Sequence, residues 1–227
     1  MAKILQLETA TQTCSVALAE NGTTLALKEL AQPNIHAGML TLFIDEVMRT
    51  AGMGYADLDA VAVSMGPGSY TGLRIGVSTA KGLCYALEKP LIGVDTLQMM
   101  AAGFILENDG FDGLVCPMID ARRMEVFTAI FDHSLRKIGD TAAVIVDASS
   151  FSHLSAAQRM AFIGDGAAKC AAVLEGSYAF FPGGNYNSAR HMSQLAYRQF
   201  ETGQFEDVAY FEPFYLKDFV LTTPKKK

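Results

Sequence analysis

The sequence is short of the features that mark several large functional classes. It holds four cysteines, Cys14, Cys84, Cys116 and Cys170, with no C-x-x-C pair and no cysteine–histidine cluster. A structural zinc site therefore has no ligand set, and the thiols are expected to be reduced, small core residues. None of the histidines, His36, His133, His153 and His191, has another histidine at i+4, and H-E-x-x-H is absent, which leaves a metallopeptidase centre without support. No apolar run reaches the roughly 18 residues that would suggest a membrane span. MAKILQL opens directly on a strand pattern, without signal-peptide architecture, so a cytoplasmic protein is expected. There is also no basic excess, the net charge being −6. Neutralising phosphates supplies most nucleic-acid affinity, so any such role is expected to be shared with a partner.

What is present is a chain of 227 residues, 50% hydrophobic and 19% charged, enough for a sizeable core. Its most structured stretch is SMGPGSYTGLRIGVSTAKGL, Ser64 to Leu83. An apolar run leads into a turn containing Gly66, Pro67, Gly68, Ser69, Thr71 and Gly72, and then into a helical pattern. A strand, a glycine turn and a helix start can aim backbone N–H groups at an anion. The generic motifs are missing, however: there is no third glycine of a dinucleotide fingerprint and no Gly-Lys-Ser/Thr of a Walker loop. Ser69 follows Pro67 at two residues and does not fit Gly-x-Ser-x-Gly. A structural turn and a ligand cradle both remain open.

In chain order, residues 3–8 and 13–20 read as strands, and Asn21-Gly22 signals a hairpin into a return strand from Thr23 to Leu30. A helix over about 36–51 follows, with apolar Met39, Leu40, Phe43, Ile44, Val47 and Met48 at spacings of three and four. That arc covers about half the circumference, wider than one ordinary buried stripe, so part of it is available for a partner unless the chain itself buries it. After a strand near 59–64, the helix 72–87 carries small residues in two rows: Gly72, Gly76 and Ala80, and Ser78, Gly82 and Ala86. Each interior glycine costs about 1 kcal/mol of helix propensity, which suggests a backbone packed closely against it. Leu91–Val94 is expected to be a parallel strand, with Asp95-Thr96 capping a helix 97–107.

Asn108–Gly113 reads as a linker between two lobes, residues 1–107 and 108–227. The second lobe offers strands at 114–119 and 124–131, extension of that sheet by 136–138 and 142–146, a strand at 162–163 ending in Gly164-Asp165-Gly166, and a helix start after it. Ser188 is expected to cap a helix through Phe200. The aromatic-rich stretch Tyr210–Phe219 should dock, with the last helix and tail packing back on the first lobe, while Lys225–Lys227 read either as a solvated tail or as a remnant of cloning. The two halves share an outline, which predicts a duplicated α/β architecture with a cleft between the lobes.

Among acidic residues, Glu8 ends the first strand before a hydroxyl-rich turn, where it is either a satisfied turn residue or, by analogy with sugar-kinase-like folds alone, a carboxylate for a metal-bound phosphate. Asp120 with Arg122 and Arg123 suits either an anion or an internal salt-bridge network. No base–nucleophile pair emerges.

At this point ILQLETATQTCSVAL, HAGML, SMGPGSYTGLRIGVSTAKGL, MIDARRMEVF, FIGDGAAKC and FEPFYLKDF, in this order over nearly the whole chain, resemble the TsaB family, also called YeaZ. The resemblance implies a two-lobed α/β fold of the actin, Hsp70 and sugar-kinase class, ribonuclease H-like, with mixed sheets and flanking helices. It implies a non-catalytic subunit in bacterial transfer of threonylcarbamoyl to N6 of adenosine 37 in tRNAs reading codons that begin with A. The partners it implies are a TsaD-like catalytic subunit and a TsaE-like ATPase, with tRNA met only through the complex and a homodimer when alone. No cofactor is expected in this chain, since ATP/ADP and a metal belong to the partners.

Pairing would use the first two helices, through His36, Met39, Leu40, Phe43, Val47, Leu73, Gly76, Thr79, Ala80 and Leu83. An anion or nucleotide loop would use Glu8, Gly66, Gly68, Ser69, Thr71, Gly72, Asp120 and Arg122. The family's catalytic relative carries two histidines four apart on the first helix; here His36 is followed by Leu40. The usual Asp-Thr-Ser-Thr is Glu8-Thr9-Ala10-Thr11, which weakens nucleotide binding. A stand-alone nucleotide-dependent phosphotransferase or peptidase-like enzyme of the same fold is the alternative.

Overall fold

A computed structural model describes residues 1–155, 158–174, 176 and 178–217. Phe219 of the aromatic stretch and Lys225–Lys227 lie outside these. The chain begins with three antiparallel strands, β1 (Lys3–Glu8), β2 (Thr13–Glu20) and β3 (Thr23–Ala31). Asn21 and Gly22 take φ of 50° and 78°, the left-handed pair that a tight hairpin needs. Helix α1 (His36–Thr50) crosses to β4 (Ala60–Gly66), and α2 (Tyr70–Leu87) crosses to β5 (Leu91–Asp95); β4 and β5 join the sheet in parallel. The first sheet thus has the order β3-β2-β1-β4-β5. Helix α3 (Thr96–Glu107) follows, capped by Asp95 Oδ1, which accepts from Leu97 N at 2.9 Å and Gln98 N at 3.0 Å.

The second lobe repeats the plan. Strands β6 (Gly113–Asp120), β7 (Glu125–Phe131) and β8 (Lys137–Ile145) form a meander. Helix α4 (Ser152–Ser155) leads to β9 (Arg159–Ile163), and α5 (Ala167–Cys170) leads to β10 (Ala179–Phe180), both strands parallel to their neighbours. The order β10-β9-β6-β7-β8 is the first sheet's order under the same connections. This duplicated unit is the architecture expected of the actin, Hsp70 and sugar-kinase class. Among the described residues, the crossover helices of the second lobe span four residues each.

Three apolar clusters set the layers. Leu40, Phe43, Ile44, Val47, Met48, Val77 and Ala80 cover one face of the first sheet. Phe151, Ala167, Cys170 and Leu174 cover the outer face of the second. Between the sheets lie Phe104 and Met100 of α3 with Met192, Leu195 and Ala196 from the chain's end. Both faces of β1 and β4 are therefore buried, which is why they read as nearly continuous apolar runs. All four cysteines are buried and unpaired, and burial pushes the Cys116 thiol up to about 12.

Several local readings change. Ser69, whose Oγ accepts from Gly72 N at 3.3 Å, starts α2 two residues early, at Tyr70. The segments 136–138 and 142–146 are one strand, β8. Ser188 does not cap a helix with its side chain: its hydroxyl donates to Glu29 Oε2 at 2.5 Å, a 3-10 turn occupies Ala189–Met192, and α6 spans Ser193–Glu201.

The strap 185–194 crosses back onto the first sheet. Ala189 N donates to Ser15 Oγ at 3.0 Å, Ser193 Oγ to Gln6 Oε1 at 2.9 Å, and Gln194 Nε2 to Gly22 O at 3.0 Å. The tail then follows β5 and α2. Glu206 N donates to Leu91 O at 2.9 Å, Lys81 Nζ donates to Ala209 O and Phe211 O, and Phe214 N donates to Met65 O at 2.7 Å.

Candidate functional site

The glycine turn sits at the mouth of the crevice between the lobes. A cavity of about 490 Å³ there is lined by Gly68, Ser69, Thr71 and Gly72 from one lobe and by Asp120, Arg122 and Asp165 from the other. The structure thus brings together six of the eight residues expected at the anion loop. Glu8 and Gly66 are not among its lining residues. Gly66, with φ of +117°, packs under the tail, and a Cβ there would lie 2.6 Å from Phe214 O. Glu8 is wholly buried: its Oε1 accepts from Ala10 N at 2.5 Å, while its Oε2 has no hydrogen-bond partner among the described residues. Burial pushes its carboxyl up to about 7, against the opposing pull of the Ala10 amide, Ser64 and Asn187.

The far wall of the cavity belongs to the β6–β7 turn. Asp165 Oδ1 accepts from Asp120 N at 3.0 Å and holds the end of β6. Lys169 on α5 bonds Asp120 Oδ1 and donates to Glu125 O at 2.6 Å. Slight burial alone would raise the Asp120 carboxyl, but Lys169 and the Arg122 amide outweigh it and hold it below the usual range. Lys169 was not singled out in the sequence, although it stands in the FIGDGAAKC segment.

The residues expected at a partner interface fall mostly elsewhere. Leu40, Phe43 and Val47 are buried against the chain's own Leu5, Leu7 and Val16, and Ala80 packs in the same cluster. Leu73 is fully buried. A Cβ on Gly76 would lie 2.2 Å from Thr9 Oγ1, and one on Gly72 would lie 2.1 Å from Thr9 O. The backbone expected close to this row is the chain's own β1–β2 turn. His36 is buried too, its Nε2 lying 3.3 Å from Thr13 O. These seven residues are buried, because the first sheet needs a cover and the apolar faces of α1 and α2 supply it, while His36 also lines the interlobe cavity. Met39, Thr79 and Leu83 are half-buried.

The outward faces carry other residues. Leu42 on α1 is 56% exposed and Tyr85 on α2 is 83% exposed. A Cβ added at Gly38 or Gly82 would meet nothing within 4 Å. Sequence periodicity favoured the buried stripe because it cannot say which of two apolar rows has a sheet beneath it.

Residues 29–219 match the family described as TsaD, tRNA N6-adenosine threonylcarbamoyltransferase. The tRNA threonylcarbamoyladenosine biosynthesis protein TsaB of Escherichia coli strain K12 is 42% identical over 127 residues, which is 56% of this chain and 54% of that protein. The chain spans about half the length of the curated relatives it matches. The solved structure of YeaZ from Pseudomonas aeruginosa superposes with a TM-score of 0.82 at 27% identity, over 95% of this chain and all of that one. Component A of the (R)-2-hydroxyglutaryl-CoA dehydratase from Acidaminococcus fermentans shares the fold alone, with a TM-score of 0.54 at 12% identity over 88% of this chain and 99% of that one. By the span of the family match and the likeness along the whole fold, the chain belongs to the tRNA N6-adenosine threonylcarbamoyltransferase family, on its TsaB (YeaZ) branch.

Proposed function

We propose that this chain is the accessory subunit in forming threonylcarbamoyladenosine in tRNA, pairing with a threonylcarbamoyltransferase of its own family through the outward faces of α1 and α2. A TsaE-like ATPase joins the pair, the partners hold the nucleotide and metal, and the same faces join two copies when the chain is alone. The observation that carries the reading is the pairing of exposed Leu42 and Tyr85 with open glycines at Gly38 and Gly82 on the same two helices. An apolar anchor beside a place where a second backbone can approach closely is what a helix–helix interface requires. Supporting it, the position four after His36 holds Leu40, a core residue.

The test is association of the purified chain with the transferase subunit by analytical ultracentrifugation. Leu42→Glu and Gly82→Arg lie outside the core, so neither variant should melt below wild type. Each should weaken association at least about tenfold, a loss of roughly 1.4 kcal/mol. Two folded variants that associate like wild type would sink the proposal.

The interlobe cavity favours a second reading, a nucleotide-dependent phosphotransferase. Against it, Glu8 is buried away from the cavity and Lys169 already occupies Asp120. Calorimetric titration with magnesium–ATP separates the two readings, since micromolar binding with turnover would favour the enzyme.

A further inference from the structure

The β6–β7 turn carries more cationic side chains than its ion pairs engage. Both of its flanking carboxylates have their own lysine, Lys169 for Asp120 and Lys217 for Glu125. Arg122 and Arg123 have no ion-pair partner of their own, although the Arg122 charge helps to hold the nearby Asp120 carboxyl low. Both are exposed, and neither guanidinium makes an ion pair or hydrogen bond among the described residues. Both also take left-handed backbone, with φ of 71° and 50°, which L side chains adopt at a cost. The strained turn carries the two side chains on the rim between two hollows. Arg122 lines the interlobe cavity, and both arginines line a neighbouring one of about 590 Å³ with Met124, Ile145 and Lys217.

We propose that this turn is the chain's own contact with the phosphodiester backbone of the tRNA, so that the RNA is touched by this subunit as well as by its partner. The inference rests on the function proposed above and assigns it a surface. Surplus guanidiniums on an otherwise acidic chain of net charge −6 match a polyanion by charge. A single small anion fits less well, because the cavity beside Arg122 also carries the carboxylates Asp120 and Asp165. An extended backbone passing over the rim can meet both guanidiniums without entering the cavity.

The test is filter binding of unmodified tRNA to the assembled complex of this chain and the transferase, over about 50–200 mM salt. Arg122→Ala/Arg123→Ala keeps a Cβ at each left-handed position and so leaves the turn's strain unchanged. It should lower affinity at the low-salt end about tenfold or more and flatten the log–log salt slope by about one to two. Arg122→Lys/Arg123→Lys should keep the wild-type slope, since a lysine still neutralises a phosphate.

Unchanged affinity and slope in the alanine variant overturn the proposal, as does a lysine variant that loses as much as alanine, which marks a structural role. Loss of subunit association in sedimentation with unchanged RNA binding marks a protein contact and also overturns it. So does stoichiometric ATP or inorganic phosphate binding to the chain alone that the alanine variant abolishes. A wild-type complex that binds no tRNA overturns the functional reading and this one with it; binding by wild type that the alanine variant matches removes the turn alone.

Discussion

At the scale of single residues, Glu8 stands out because a carboxylate with no exposure and one unpartnered oxygen is costly to ionise. Its native value of about 7 lies above the 4.5 of the unfolded chain. Below pH 4.5 both states hold the proton and burial costs nothing. Between 4.5 and 7 the unfolded chain ionises first, so wild-type stability falls as pH rises, and above 7 the penalty is complete at on the order of 3 kcal/mol. Glu8→Gln stays neutral throughout. Urea denaturation should find the variant more stable than wild type by roughly that amount at pH 8 and equal to it near pH 4; equal differences at both ends would refute the assignment. The sequence showed Glu8 ending a strand before a hydroxyl-rich turn. It could not show that Asn187, far along the chain, closes over it.

At the scale of elements, α2 has two small-residue rows with opposite meanings. Gly72 faces Thr9 O, whereas Gly82 faces open space. Gly72→Ala should therefore cost about 1–3 kcal/mol by overpacking against backbone. Gly82→Ala should gain up to about 1 kcal/mol from helix propensity alone. Opposite shifts in the urea midpoint are the expected result, and shifts of the same sign would show that the rows are misassigned. This helix marks the limit of sequence legibility. Its existence, its glycine entry and the need for a close neighbour were all readable from spacing. Which row meets the chain itself was not, because that depends on the Thr9–Ala10 turn lying beneath it. The start of α5 was readable from the glycine turn before it, but α4 was not, because so short a described helix shows no periodicity.

At the scale of the whole molecule, the two sheets share one interior. Ile4 and Ile92 from the first sheet, Phe104 from α3, Val115 and Phe131 from the second sheet and Met192 from the chain's end form a single apolar cluster. The lobes should therefore unfold together, with far- and near-ultraviolet circular dichroism giving coincident urea transitions; two separated midpoints would contradict the shared core. The duplication was visible in the order of strands, glycine turns and helix starts, while the return of the strap to the first sheet rests on polar pairs such as Ser188–Glu29 that leave no periodic trace. The tail's hydrogen bonds to Leu91 and Met65 carry a consequence for biosynthesis. A ribosome makes the first sheet early, yet the edge strand β5 and the floor of the glycine turn stay uncovered until residues 206–214 have emerged. From the time β5 emerges until residues 206–214 follow it, the nascent chain presents an open strand edge, and its early-made sheet is completed by residues made long after its own strands.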